Sequence, residues 1–236
     1  MIPFFRFPST PHLAWLAEAT PRDDKVLAPS EVAELLRHEL VVEEKVDGAN
    51  LGLWVDEDGT LRAQNRGTLL APGSHPQWGP LWPWLDARRD RLLERLPPQL
   101  IVFGEWCFAR HTVSYTALPS WLLAFDVWDR SVRGFWSVPR RDALLTELEL
   151  DVVPRVDRGH FDLPALIDLA QGHPSSLGAA ELEGIVVRHD EGGLLRAKAK
   201  LVRGDFVAGI GEHWSHRHIE PNRIVSVASS DGRRSS

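Results

Sequence analysis

The feature that most constrains this chain is a succession of short apolar segments joined by turns too brief to hold a crossover helix. Residues 40–46 and 51–55 are separated by a few polar positions, and Asp56-Glu57-Asp58-Gly59 marks a tight turn before a third segment at 61–65. Residues 182–188 and 194–199 flank Gly192-Gly193 in the pattern of a hairpin. Strands joined in this way run antiparallel, because a parallel return needs a dozen residues or more. Further strands are read at 100–105, 121–128 and 152–156. Helical spacing follows Ser30 as an N-cap through about 38, and recurs at 85–95, 140–149 and 163–171. The lead-in 1–28 carries one helical patch near 12–18, while 67–83 and 172–181 read as loops. The expected class is α+β, with antiparallel sheets flanked by helices.

Composition narrows the setting. The chain has 236 residues, 43% hydrophobic and 25% charged, which is enough for one sizeable soluble domain with a short appendage. No apolar run approaches the roughly 20 residues of a membrane span, and the first residues lack a signal-peptide pattern. A cytoplasmic protein with no membrane partner is expected. One cysteine, Cys107, leaves no internal disulfide and no cysteine-based zinc site. Net charge is −6, so any nucleic-acid contact has to come from a local concentration of Lys and Arg.

Ionisable residues mark the chemistry. Glu44-Lys45-Val46-Asp47-Gly48-Ala49-Asn50 places a lysine at a strand end, before a glycine that lets the chain turn. Alone, this run does not distinguish a nucleophile from a solvated turn lysine. It has company, however. Glu105 closes an apolar strand, Phe125-Asp126-Val127 lies within another, and Glu183-Gly184 opens a third. Lys198 and Lys200 fall on one face of the last strand by period-two alternation. Apolar strands that repeatedly carry ionisable groups imply that those groups meet. His213, His216 and His218 do not have the spacing of a familiar zinc helix.

In this ordered set the chain resembles the covalent nucleotidyltransferases, with motifs I, Ia, III, IIIa, IV and V readable in sequence across residues 44–200. The Glu-Lys-x-x-Gly-x-Asn form of motif I, Phe-Asp-Val and Lys-x-Lys most resemble the ATP-dependent RNA ligases of the phage and RNA-editing type. The resemblance implies an adenylyltransferase fold, related to ATP-grasp-like ligase cores, and a nucleophilic Lys45 that takes AMP from ATP. It implies that Glu44, Asn50, Arg66, Glu105, Phe125, Glu183, Lys198 and Lys200 bind the nucleotide. Among these, Phe125 would stack on adenine and Glu105 would hold the ribose. Glu183 would hold Mg²⁺ or Mn²⁺, directly or through water. Lys198, Lys200 and the metal would lower the Lys45 pKa. Arg188, His111 and Arg203 would contact RNA.

The 36 residues after Lys200 are too few for the C-terminal OB domain of DNA ligases and capping enzymes. The expected organisation is a catalytic domain over 1–205, a short helical extension over 206–228 and a disordered tail over 229–236. The expected activity joins RNA 5′-phosphate and 3′-OH ends in RNA repair, with a separate end-healing kinase or phosphatase as a partner. The competing readings are a DNA nick ligase, a capping-type guanylyltransferase and an inert nucleic-acid-binding relative.

Overall fold

The strands divide between two antiparallel sheets, and the division falls at the Lys45 loop. The computed structural model describes residues 4–18, 25–208 and 219–225. Strands β1 (Leu40–Glu44), β7 (Arg155–Gly159), β8 (Gly184–Glu191) and β9 (Leu194–Val202) form one sheet in the order β7-β1-β8-β9. Strands β2 (Ala49–Val55), β3 (Leu61–Gln64), β4 (Leu100–Trp106), β5 (Leu122–Asp129) and β6 (Gly134–Phe135) form the other, in the order β3-β2-β4-β5-β6. The strands on either side of Lys45 are therefore not neighbours. Every residue of β1 is buried, which suits an inner strand between β7 and β8.

Alternation gives each sheet a helix-covered face and a face towards its partner. Leu40, Val42, Ile185, Val187, Ala199 and Leu201 pack against helices α1 (Pro29–Leu36) and α5 (Leu163–Gly172). Leu51, Leu53, Val102 and Ala124 pack against α2 (Leu81–Asp86), α3 (Arg89–Arg95) and α4 (Val138–Glu147). The remaining faces carry the polar residues that line a cavity between the sheets. Among the described residues, no helix is long and apolar enough to cross a membrane.

Several local expectations change. Ala28, not Ser30, is the N-cap of α1, since Pro29 presets the first turn and the Glu31 carboxylate accepts from the Ala28 N–H at 2.8 Å. The patch at 12–18 forms no helix, because His12 bridges Lys200 and Val26 in extended form. The helix read at 85–95 is two short helices, the first burying Leu81 and Leu85 and the second Leu92 against the core. Val152 makes only a bridge to Ala124, and the true strand, β7, starts at Arg155. That strand is mostly exposed and charged, so it lacks an apolar signal. A five-residue helix, α6 (Gly204–Ala208), follows β9, and residues 219–225 run extended along the loop after β4. His213, His216, His218 and the tail 229–236 lie outside the described residues.

Candidate active site

Lys45 is the first residue of the short connection between the two sheets, which places it on the wall of the cavity they enclose. Its backbone N–H donates to the Gly184 carbonyl at 3.0 Å. This anchors Lys45 beside the entry to β8, where Glu183 sits. A Cβ on Gly184 would lie 2.0 Å from the Leu201 carbonyl oxygen, so only glycine permits this approach of β8 to β9. The Lys45 Nζ then donates to both Glu183 carboxylate oxygens at 2.6 Å. Burial lowers the Lys45 pKa, but Glu183, Glu105 and Asp47 outweigh it and hold the amine above its ordinary value. Acids therefore outweigh burial around this amine.

A bulge arranges the far wall. The β4–β5 register shifts between Phe103 and Gly104, so that Phe103 faces Asp126 and Gly104 faces Ala124. The inserted residue is Phe125, and both it and Asp126 line the cavity. A Cβ on Gly104 would lie 2.7 Å from the Leu123 carbonyl oxygen, so glycine is required at this crowded point. Phe125 meets Phe7 edge-on at 5.4 Å. Asp126 is fully buried and pairs with Lys198, and with the Arg188 Nη1 at 2.8 Å. Arg188 also approaches Glu43 at 3.5 Å, and Glu43 accepts from the Arg141 Nη2 of α4 at 2.6 Å. The Arg141 Nη1 donates to the Phe125 carbonyl at 2.6 Å. One buried ionic network therefore fastens both sheets and α4 to the bulge.

The cavity has a volume of about 490 Å³. Glu44, Lys45, Asn50, Arg66, Glu105, Phe125, Arg188, Lys198 and Lys200 all line it. Glu183 reaches it through Lys45. Arg66 is exposed on a turn held by the Asn65 side chain, which accepts from the N–H groups of Gly67 and Thr68. Glu105 pairs in register with Asn50, and burial pushes its carboxyl up to about 8, assisted by Glu183 and Asp47. Burial likewise raises Glu44, whose carboxylate accepts from the Ser175 hydroxyl at 2.6 Å. Lys198 is pushed down by burial and by Arg188, against the pull of Asp126.

Glu183, Glu105 and Asp47 around one amine make an acid-rich donor set. Among the described residues no three His, Cys, Asp or Glu side chains form a complete metal cage. A hard divalent ion needs only one or two protein carboxylates when phosphate and water complete its shell, so Glu183 fits that part.

The family model for RNA ligase matches residues 38–202, most of the chain. The chain belongs to the RNA ligase family. Solved structures of a Naegleria gruberi RNA ligase are similar in fold. A ligand-free variant matches with a TM-score of 0.58 and 16% identity, covering 76% of this chain and 53% of that one. The same ligase with pyrophosphate has a TM-score of 0.58 at 16% identity, covering 89% and 63%. A variant with ATP and manganese has a TM-score of 0.57 at 16% identity, covering 76% and 54%. The chain thus spans a little over half the length of these structures. No curated protein sequence matches.

Two of the residues assigned to RNA, Arg203 and His111, do not themselves line the cavity, although His111 contacts the lining residue Gln77. Arg203 is held by Asp205 and Glu181, and the His111 ring meets the Gln77 side chain at 3.4 Å. Arg188 is inside the cavity, only 1% exposed, and engaged by acids. The sequence reading missed Glu43, Asp126 and Arg141 as a network. The signal was present: acids inside otherwise apolar strands require buried partners. Phe7, Ser9 and Thr10 line the cavity, because Pro11 and Leu13 hydrogen-bond to the Lys200 backbone.

Proposed function

We propose that this chain is an ATP-dependent RNA ligase that joins 5′-phosphate and 3′-OH ends through a lysyl-AMP intermediate on Lys45. The observation that carries the reading is the Lys45–Glu183 contact at 2.6 Å, on the wall of a cavity of nucleotide size that also holds Lys198 and Lys200.

The Lys45 ammonium first gives a proton to Glu183. Its Nζ then forms a bond to the α-phosphorus of ATP, the bond from that phosphorus to the β-phosphate oxygen breaks, and pyrophosphate leaves with the electron pair. Lys198 and Lys200 supply positive charge to the α-phosphate. Phe125 supports the adenine, and the Glu105 carboxyl, neutral below about 8, donates to and accepts from the ribose hydroxyls. A Mg²⁺ or Mn²⁺ ion held at Glu183 through a bound water would neutralise charge on the leaving phosphates. In the second step an oxygen of the RNA 5′-phosphate attacks the same phosphorus, and Lys45 leaves with a proton returned to Nζ. In the third, the 3′ oxygen bonds to the 5′-phosphorus as its proton passes to water, and the bond to AMP breaks with AMP leaving with the electron pair. Arg66, exposed at the cavity rim, is placed to meet the incoming 5′-phosphate. The reading places the enzyme in RNA repair, with a separate kinase or phosphatase preparing the ends.

The test is incubation with α-labelled ATP and Mg²⁺ or Mn²⁺, followed by denaturing electrophoresis. Label that stays with the protein and disappears in Lys45→Ala supports the reading; no label, or label that survives that substitution, overturns it. Parallel α-labelled GTP separates a capping activity, and nicked RNA, single-stranded RNA and nicked DNA establish the strand preference.

A further inference from the structure

The segment 219–225 lies beyond the region matched by the family model, yet it is bonded at both legs to the loop that holds the Lys45 connection. That loop, residues 107–118, follows β4. At its tip the N–H groups of Thr112 and Val113 donate to one Asp47 carboxylate oxygen at 2.7 and 2.8 Å. From its second leg the Tyr115 hydroxyl accepts from the Asp47 N–H at 2.9 Å. Asp47 is two residues from Lys45, so its side chain and backbone are both fixed by this loop.

Asn222 ties the two legs together. It is 5% exposed. Its Oδ1 accepts from the Tyr115 N–H at 2.9 Å, and its Nδ2 donates to the Cys107 carbonyl at 2.8 Å. Its own N–H donates to the Phe108 carbonyl at 2.9 Å, and the Arg223 N–H donates to the Tyr115 carbonyl at 3.0 Å. A primary amide is the side chain that can offer an acceptor to one leg and a donor to the other at the same time. Buried backbone groups at both legs depend on it, and they would lose their partners together if it were removed.

We propose that Asn222 is a positioning residue for the Lys45 amine: it locks the 107–118 loop, the loop fixes Asp47, and Asp47 fixes the direction in which Lys45 enters the cavity. The proposal rests on the reading of Lys45 as the nucleophile, but its structural half is measurable without any turnover. It assigns the segment 219–225 the role of a strap on the nucleophile's loop. A misplacement of about 1 Å at a reacting group can lower a rate by about 100-fold, so loosening the loop has a rate consequence even when the nucleotide still binds.

The test uses the full chain with Asn222→Ala, and with Asn222→Asp as a milder variant that keeps the acceptor for Tyr115 but opposes a carboxylate to the Cys107 carbonyl. Two quantities are read: amide hydrogen exchange at Thr112 and Val113 by NMR, and the single-turnover rate and ATP dependence of lysine labelling. In Asn222→Ala, exchange at Thr112 and Val113 accelerates at least about 10-fold while β2 and β4 amides are unchanged. The maximal labelling rate falls at least about 10-fold with little change in the ATP concentration giving half-maximal rate. Asn222→Asp recovers part of both effects as pH falls, because the protonated acid again donates to Cys107. Unchanged exchange at Thr112 and Val113 overturns the proposal, and so does faster exchange with an unchanged labelling rate. If the wild-type chain takes no label, the ligase reading fails, and the positioning claim falls with it whatever the exchange result.

Discussion

Lys45 and Lys198 are both lysines paired to a carboxylate inside the same cavity, yet their surroundings push them in opposite directions. Burial opposes charge on each. Lys45 is overruled by Glu183, Glu105 and Asp47, and is held protonated. Lys198 has Asp126, but must share it with Arg188, so burial prevails and its pKa falls. The difference teaches that the count of neighbouring charges, not the motif in which a lysine stands, decides its resting state. On the proposed reading it also separates two duties. Lys45 waits with its proton beside an acceptor, while Lys198 is part of a network that ties the sheets together.

The largest expected effect breaks the second pair. Asp126→Ala leaves Lys198 and Arg188 buried without their shared acid, and urea denaturation should show a loss of about 3–5 kcal/mol. The same measurement on Glu183→Gln should show a clearly smaller loss, since Lys45 is 24% exposed and keeps two other acids. An equal loss would erase the distinction. On activity the order reverses. Glu183→Gln removes the proton acceptor, and single-turnover labelling at pH 7 should fall by at least about 100-fold. Loss of the Glu183 charge also lowers the Lys45 pKa, so the residual rate should rise with pH from a lower midpoint than in the wild type.

Glu105 sharpens the account of the acid-rich side. Its folded pKa, about 8, lies above the unfolded value near 4.5, so its contribution to stability is present at low pH and lost as pH rises to about 8. Glu105→Gln should therefore gain in melting temperature over the wild type progressively between about pH 4.5 and 8, and the gain should level off above that range. A gap that does not change with pH would contradict this. The smallest effect is a control. Arg91 and Glu149 pair at 2.8 Å on the surface, 44% and 66% exposed, and Arg91→Ala should change stability by less than about 1 kcal/mol in urea.

The contrast also shows what a sequence can carry. Lys45, Glu105, Glu183 and Phe125 stood out through the ordered motifs that carry the family resemblance, and alternation alone put Lys198 and Lys200 on one face. The bulge at Phe125 was not legible, since a one-residue slip leaves no mark in an apolar run. Nor was the division at Lys45 into two sheets, because a short connection looks the same whether its strands pair or part. β7 was misplaced because its exposed charged residues carry no alternation. The sign of the Lys45 shift depends on acids at positions 47, 105 and 183, which only the fold brings together.

The central claim is that Lys45 alone among the cavity lysines becomes covalently attached to AMP. Mass spectrometry of peptides from the protein incubated with ATP and Mg²⁺ tests it most directly. The account predicts an acid-labile AMP adduct on the peptide bearing Lys45, and none on those bearing Lys198 or Lys200. An adduct on Lys198 or Lys200, or an unmodified Lys45 in protein that has released pyrophosphate, would contradict it.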